Sequence, residues 1–178
     1  MATVDRLNEL LEAERAGVET LSRLFPEART PEMKKLFEQV RDDEAWSCAG
    51  LTRSIKTLGG VMSDKKGDFA DKVMGEPTLA ARLKLLNRGQ MWVVKRLDTL
   101  LGEPLPDSVS AFLEEMKKRH LTNIEACDRL AESLVREFQE IHLSGISIVR
   151  CPIHGIAFDP RREDCPECAK GNDKRGKG

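Results

Sequence analysis

Along four stretches of the chain, apolar residues recur at alternating steps of three and four with polar residues between them, the period of a helix buried along one face. In the first stretch Val4, Leu7, Leu11, Val18, Leu21 and Phe25 keep this rhythm and Pro26 ends it. "RTPEMKKLFEQV" begins the second, with Thr30 as N-cap and Pro31 at the first helical position, where a missing N–H costs nothing. Met33, Phe37, Val40, Leu51, Ile55 and Leu58 carry that helix to Gly59 and Gly60. Leu79, Leu83, Leu86, Val93, Leu97 and Leu100 outline a third, ending near Gly102. After "GEPLPDS", with Asp107 or Ser108 as the cap, Val109, Leu113, Met116, Cys127 and Leu134 outline a fourth reaching about His142.

The connections select a topology. About five residues join helices one and two, and about five join three and four, so each pair is expected to be an antiparallel hairpin. Between the hairpins lies "GVMSDKKGDFADKVMGEP", long enough to run the length of a bundle and able to include a short helical turn around Phe69 to Val73. The expected fold class is all-α: a four-helix bundle with one long crossover.

Each helical seam is broken once by a polar residue: Glu14, Glu44, Gln90 and His120. Folding each hairpin about its turn sets Glu14 level with Glu44 and Gln90 level with His120, so the four are expected to form one layer. A buried polar layer needs partners, because unpaired carboxylates in a core are costly. A metal ion, hydrogen bonds among the four, an inward-reaching Arg15 or Arg88, or trapped water would each serve.

Composition narrows the class. Of 178 residues, 33% are charged and 4% aromatic, with no tyrosine, which favours an aliphatic helical core over a β-sandwich. The formal charge of -1 supplies no global field toward nucleic acid or anionic lipid, so neither is expected as a partner. No stretch of about 18 apolar residues occurs, and the chain reads as soluble and cytoplasmic. In "RDDEAW", Asp42 and Asp43 are expected to face solvent. Trp46 and Trp92 read as core or interface packing, and Cys48 and Cys127 as small buried hydrophobes rather than nucleophiles.

The C-terminus breaks the helical pattern. "CPIHGIAFDPRREDCPEC" places Cys151 and His154 at C-x2-H spacing and Cys165 and Cys168 at C-x2-C spacing, with ten residues between the pairs. Each pair can grip one ion from a tight turn, and zinc accepts Cys3His tetrahedrally while adding folding free energy that so short a segment cannot find in a core. "SIVR" and "IAF" are expected as two short strands beside the first knuckle, and the basic, glycine-rich "KGNDKRGKG" as a disordered tail. The expected organisation is a bundle over 1–143, a metal knuckle over 144–169 and a tail over 170–178.

The crossover, the mid-helix Glu14 and Glu44 and the mid-helix His120 resemble the ferritin-like carboxylate proteins. In that family a Glu from each of two helices and a Glu-x-x-His pair from each of the other two hold two metals. With the terminal knuckle, the layout is similar to rubrerythrin, whose C-terminal module binds iron through four cysteines. The resemblance implies a depleted dinuclear site here. Ser47 stands three residues after Glu44 where histidine is expected, Gln90 replaces a carboxylate, and Lys117 precedes His120 where a glutamate is expected. His154 in place of a fourth sulfur shifts the preference of the knuckle from redox iron to structural zinc.

Two function classes stay open. In one, the protein is a non-catalytic binding or assembly module, a homodimer that can reach a protein partner through its zinc knuckle. In the other, it is a rubrerythrin-like redox enzyme that uses iron or manganese at Glu14, Glu44 and His120, with Gln90 as an unusual ligand or hydrogen-bond donor.

Overall fold

The computed structural model describes residues 2–143, 149–150 and 156–158, with side chains through residue 137 and at 156 and 157. It divides into two compact units, 1–132 and 133–178.

The first unit contains α1 (Thr3–Leu24), a 3-10 turn (Phe25–Glu27), α2 (Pro31–Thr57), the short α3 (Phe69–Met74), α4 (Leu79–Leu101) and most of α5 (Asp107–Leu143). The four long helices and the helical turn in the crossover lie where the apolar rhythm places them. Local chemistry explains their ends. The Thr30 side chain accepts from the Met33 N–H at 3.2 Å, and Thr78 does the same for Ala81 at 3.1 Å, each satisfying a donor that the first helical turn leaves orphaned. Gly59 takes φ +70° just beyond α2, a left-handed conformation that stops the helix at little cost only without a Cβ. The start of α5 corrects the expected cap. Asp107 is the first helical residue, and the Pro106 carbonyl accepts from the N–H groups of Val109 and Ser110.

The core is aliphatic. Leu7, Leu10 and Leu11 of α1 pack with Leu51 and Ile55 of α2, Leu97 and Leu100 of α4, and Leu113 and Met116 of α5. Trp46 packs against this cluster, its ring centroid 5.1 Å from that of Phe112. Trp92 lies outside the core: it is 39% exposed, with the Arg96 guanidinium 4.9 Å from its ring. Cys127 is buried and Cys48 half-buried.

One polar edge of α1 holds the crossover. Asn8 donates to the Val61 carbonyl at 2.9 Å and accepts from the Ser63 N–H at 2.7 Å; the Ser63 hydroxyl donates to Glu12. Arg15 donates to the carbonyls of Ser63 and Lys65 at 2.6 and 2.9 Å, Glu19 pairs with Lys66, and Arg23 pairs with Asp71 at 2.6 Å. These α1 residues recur at steps of three and four, so the backbone groups of an otherwise irregular strap find partners along one helix face. Arg15 therefore serves the crossover and does not reach into the layer.

In the second unit β1 (Val149–Arg150) pairs antiparallel with β2 (Ala157–Phe158), Val149 opposite Phe158 and Arg150 opposite Ala157. The expected knuckle ligands Cys151, His154, Cys165 and Cys168, and the tail 170–178, lie outside the described residues. Among the described residues no helix is long and apolar enough to cross a membrane.

Candidate metal centre

The four seam-breaking residues are all buried: Glu14, Glu44, Gln90 and His120 are each at most 3% exposed, and all four line one cavity of about 530 Å³. Three of them converge further. One ligand atom from each of Glu14, Glu44 and His120 lies within 4.8 Å of the others.

The imidazole explains why this cluster needs a cation or a proton. His120 Nδ1 is 3.0 Å from the Met116 carbonyl one turn earlier, and a carbonyl can only accept, so Nδ1 carries the hydrogen. In the neutral ring Nε2 is then a bare lone pair. It sits 3.2 Å from Glu14 Oε1, without the alignment of a hydrogen bond. A lone pair facing a carboxylate oxygen is repulsive unless something positive lies between them. Both Glu14 oxygens, the Ser47 hydroxyl and Gln90 Oε1 likewise have no well-aligned hydrogen bond among the described residues, although Glu44 and Ser47 approach Glu14 closely enough to stabilise its charged form.

Electrostatics point the same way. Burial pushes the Glu14 carboxyl up to about 8, with Glu44 and Ser47 beside it pulling in the opposite direction. Burial also raises Glu44 well above the usual carboxylate range; the charge of Glu14 adds to this and His120 opposes it. Without a metal the layer holds protons at neutral pH, which a bound cation would displace. The cysteines stay outside this chemistry. Burial and then the charges of Glu14 and Glu44 raise Cys48 to about 12, and burial with Asp128 and Glu44 does the same for Cys127, so both are thiols.

Three features of the site lay beyond sequence reading. Gly17, one turn after Glu14, is the first: a Cβ there would collide with the Glu44 carboxylate, so the bare backbone gives Glu44 its place. Ser47, read in the sequence only as a missing histidine, is fully buried with its hydroxyl beside Glu14 and no well-aligned hydrogen bond among the described residues. The third corrects the reading of Asp43 as a solvent-facing acid. It is 5% exposed and accepts from Arg119 at 2.8 Å, Asn123 at 3.2 Å and Gln39 at 3.1 Å. The i, i+3 and i, i+4 relations of Gly17 to Glu14 and of Asn123 to Arg119 were the available signals. Arg88, the other arginine considered for the layer, is exposed at the cavity lining.

A two-metal centre does not fit these residues. Ser47 stands where the second histidine of the ferritin-like pattern would be, and Lys117 turns to Asp98 at 2.5 Å. One cation fits, since two carboxylates and one imidazole lone pair converge on the same space and Gln90 lines the same cavity.

Comparison with known proteins agrees with the architecture. A family model described as "Domain of unknown function (DUF6306)" matches residues 2–129. The chain belongs to the DUF6306 family. The matched span of the DUF6306 chain takes in Glu14, Glu44, Gln90 and His120 and stops before the terminal cysteines. No curated protein matches it. Among solved structures it is similar to "ferritin like, diiron-carboxylate proteins" from Bacillus anthracis str. Ames, at 20% identity and a TM-score of 0.61, over 74% of this chain and 99% of that one. That likeness shows a ferritin-like fold.

Proposed function

We propose that this chain is a ferritin-like protein that holds one divalent iron or manganese ion in its bundle and presents it to the cavity between α1 and α4. The observation that carries this reading is the buried convergence of Glu14, Glu44 and His120, in which Glu14 and His120 Nε2 have no well-aligned hydrogen bond among the described residues. Oxygen-rich donors with one imidazole suit iron or manganese better than a thiolate-seeking metal. Bound there, such an ion supplies Lewis acidity and a one-electron couple.

The chain's own residues do the rest. Glu14 and Glu44 bring two negative charges, the match for a single divalent ion rather than two. Met116 keeps the proton on Nδ1 and so leaves Nε2 free to donate its lone pair. The Ser47 hydroxyl stands beside Glu14, placed to donate a hydrogen bond to an oxygen the metal leaves free. The cavity is open enough to admit a small molecule beside the cluster, and apolar side chains such as Leu86 and Val93 form part of its wall. Chemistry on a small molecule at one metal is therefore the activity class supported best, ahead of a purely architectural bundle. The zinc assigned to Cys151, His154, Cys165 and Cys168 remains part of the proposal on their spacing.

Elemental analysis of the purified full-length chain tests both sites together. The expected result is about one iron or manganese and one zinc per chain, with His120→Ala losing the first and keeping the second. A wild-type bundle that takes up no iron or manganese when either is supplied in excess would sink the reading.

A further inference from the structure

We infer that Gln90 is a fourth ligand to the bundle cation, through Oε1, and that Asn87 and Asp128 are positioning residues that turn this oxygen toward it. This rests on the single-metal reading above and adds to it a donor and the device that aims it.

The amide orientation follows from a chain of acceptors. The Ile124 carbonyl can only accept, and Asn87 Nδ2 lies 2.9 Å from it and 2.8 Å from Asp128 Oδ1. Both hydrogens of the Asn87 amide are thus committed to α5, and its Oδ1 faces the other way. Gln90, one turn further along α4, meets that oxygen with Nε2 at 3.3 Å. The reverse orientation would set two carbonyl oxygens against each other. Asp128 therefore fixes Asn87, and Asn87 fixes Gln90.

The consequence is an oxygen with nowhere to go. Gln90 is 3% exposed and lines the same cavity as Glu14, Glu44 and His120, yet its Oε1 has no partner among the described residues. A fully buried acceptor without a donor is costly, and a cation at the cluster removes that cost. Gln90 also adds a donor without adding charge. A carboxylate in its place would bring the set to three negative charges and favour a second or a more highly charged ion.

Manganese(II) binding to the full-length, metal-stripped chain tests the assignment, read by calorimetric titration and by the electron paramagnetic resonance spectrum of the bound ion. Gln90→Leu is expected to weaken manganese binding at least tenfold while the metal-free protein melts close to wild type, because the long hydrogen bond lost to Asn87 is offset by removal of an unsatisfied buried oxygen. Gln90→Glu keeps an oxygen donor and is expected to bind manganese at least as tightly as wild type. Asn87→Ala leaves Gln90 present but unaimed; the expected result is a several-fold weakening with a broadened manganese spectrum. If wild type binds one manganese and Gln90→Leu binds it equally well with an unchanged spectrum, Gln90 is not a ligand and the three-residue site stands. If Gln90→Leu fails to fold, equal affinity and spectra for Asn87→Ala and wild type overturn the positioning. A wild-type chain that binds no manganese overturns this inference together with the single-metal reading.

Discussion

Asp43 and Glu44 are consecutive residues of α2, and Arg119 and His120 are consecutive residues of α5; each pair contributes one member to each of two buried polar clusters. In the first cluster Asp43 accepts from Arg119, Asn123 and Gln39, and the Arg119 guanidinium also lies 4.1 Å from the Trp46 ring. In the second, Glu14, His120 and Gln90 keep atoms with no partner among the described residues. Each has a buried carboxylate on α2, Asp43 in the first and Glu44 in the second, and both join α2 to α5. Burial of charge is thus no guide to function by itself. What separates the clusters is whether the polar atoms are satisfied, because an evolved core leaves such atoms orphaned only where something else comes to meet them.

The sharpest way to break this contrast is to remove a ligand from one cluster and watch the other. Glu44→Leu is expected to lower manganese or iron affinity at least a thousandfold, about 4 kcal/mol, measured by titration of the metal-stripped chain. The metal-free protein is expected to melt at the same or a higher temperature, because an apolar side chain replaces a carboxyl that burial alone makes costly. A variant that loses stability and keeps its metal would reverse the roles assigned to the two clusters.

The next effect concerns pH and the metal-free protein. Glu14 is raised to about 8 by burial, so the folded chain keeps a proton there that the unfolded chain releases near 4.5. Between those values the unfolded state binds fewer protons, and stability falls as pH rises. The expected loss from pH 5 to 8 is on the order of 3 kcal/mol, followed by denaturant melts across that range. With one divalent ion bound, the carboxylate form is the favoured one and the decline should be much reduced. A metal-free chain that gains stability over the same window would contradict the geometry of the layer.

Asp43→Ala probes the satisfied cluster. It strips a partner from Arg119, Asn123 and Gln39, and the expected destabilisation is about 2 kcal/mol, with metal stoichiometry unchanged. For a chain of this size that lowers the melting temperature by roughly 4–8 °C. Loss of metal in this variant without loss of stability would mean that the two clusters are one.

How far these clusters were legible in the sequence depended on which rule carried the reading. The four helices followed from spacing alone, and the N-cap at Thr30 from the Thr-Pro pair. The polar layer was found because Glu14, Glu44, Gln90 and His120 each interrupt an apolar seam, a contrast that periodicity detects. Asp43 was misplaced because it stands beside Asp42 in a run of acids, and its burial depends on Arg119 and Asn123, some eighty residues away, which no local pattern reports. Arg15 was a candidate for the layer, but the crossover claims its guanidinium through two carbonyls whose position only the folded strap sets. The start of α5 was shifted by one residue because the Pro106 carbonyl does what a side-chain cap would otherwise do.

Gly17 gives the smallest expected effect, and it separates site geometry from stability. Gly17→Ala places a methyl group where the Glu44 carboxylate now lies, against the end of a flexible side chain that can move aside. Alanine also favours the helix by up to about 1 kcal/mol over glycine, so the metal-free melting temperature should hold or rise slightly. Glu44, once displaced, no longer meets Glu14 and His120 in the same geometry, and metal affinity is expected to fall about tenfold. The paired cluster one residue away, held from α5 and by Gln39, should be untouched. If affinity survives Gly17→Ala unchanged, the close approach of α1 to Glu44 is packing alone, and the cation is held by a looser arrangement than the one described.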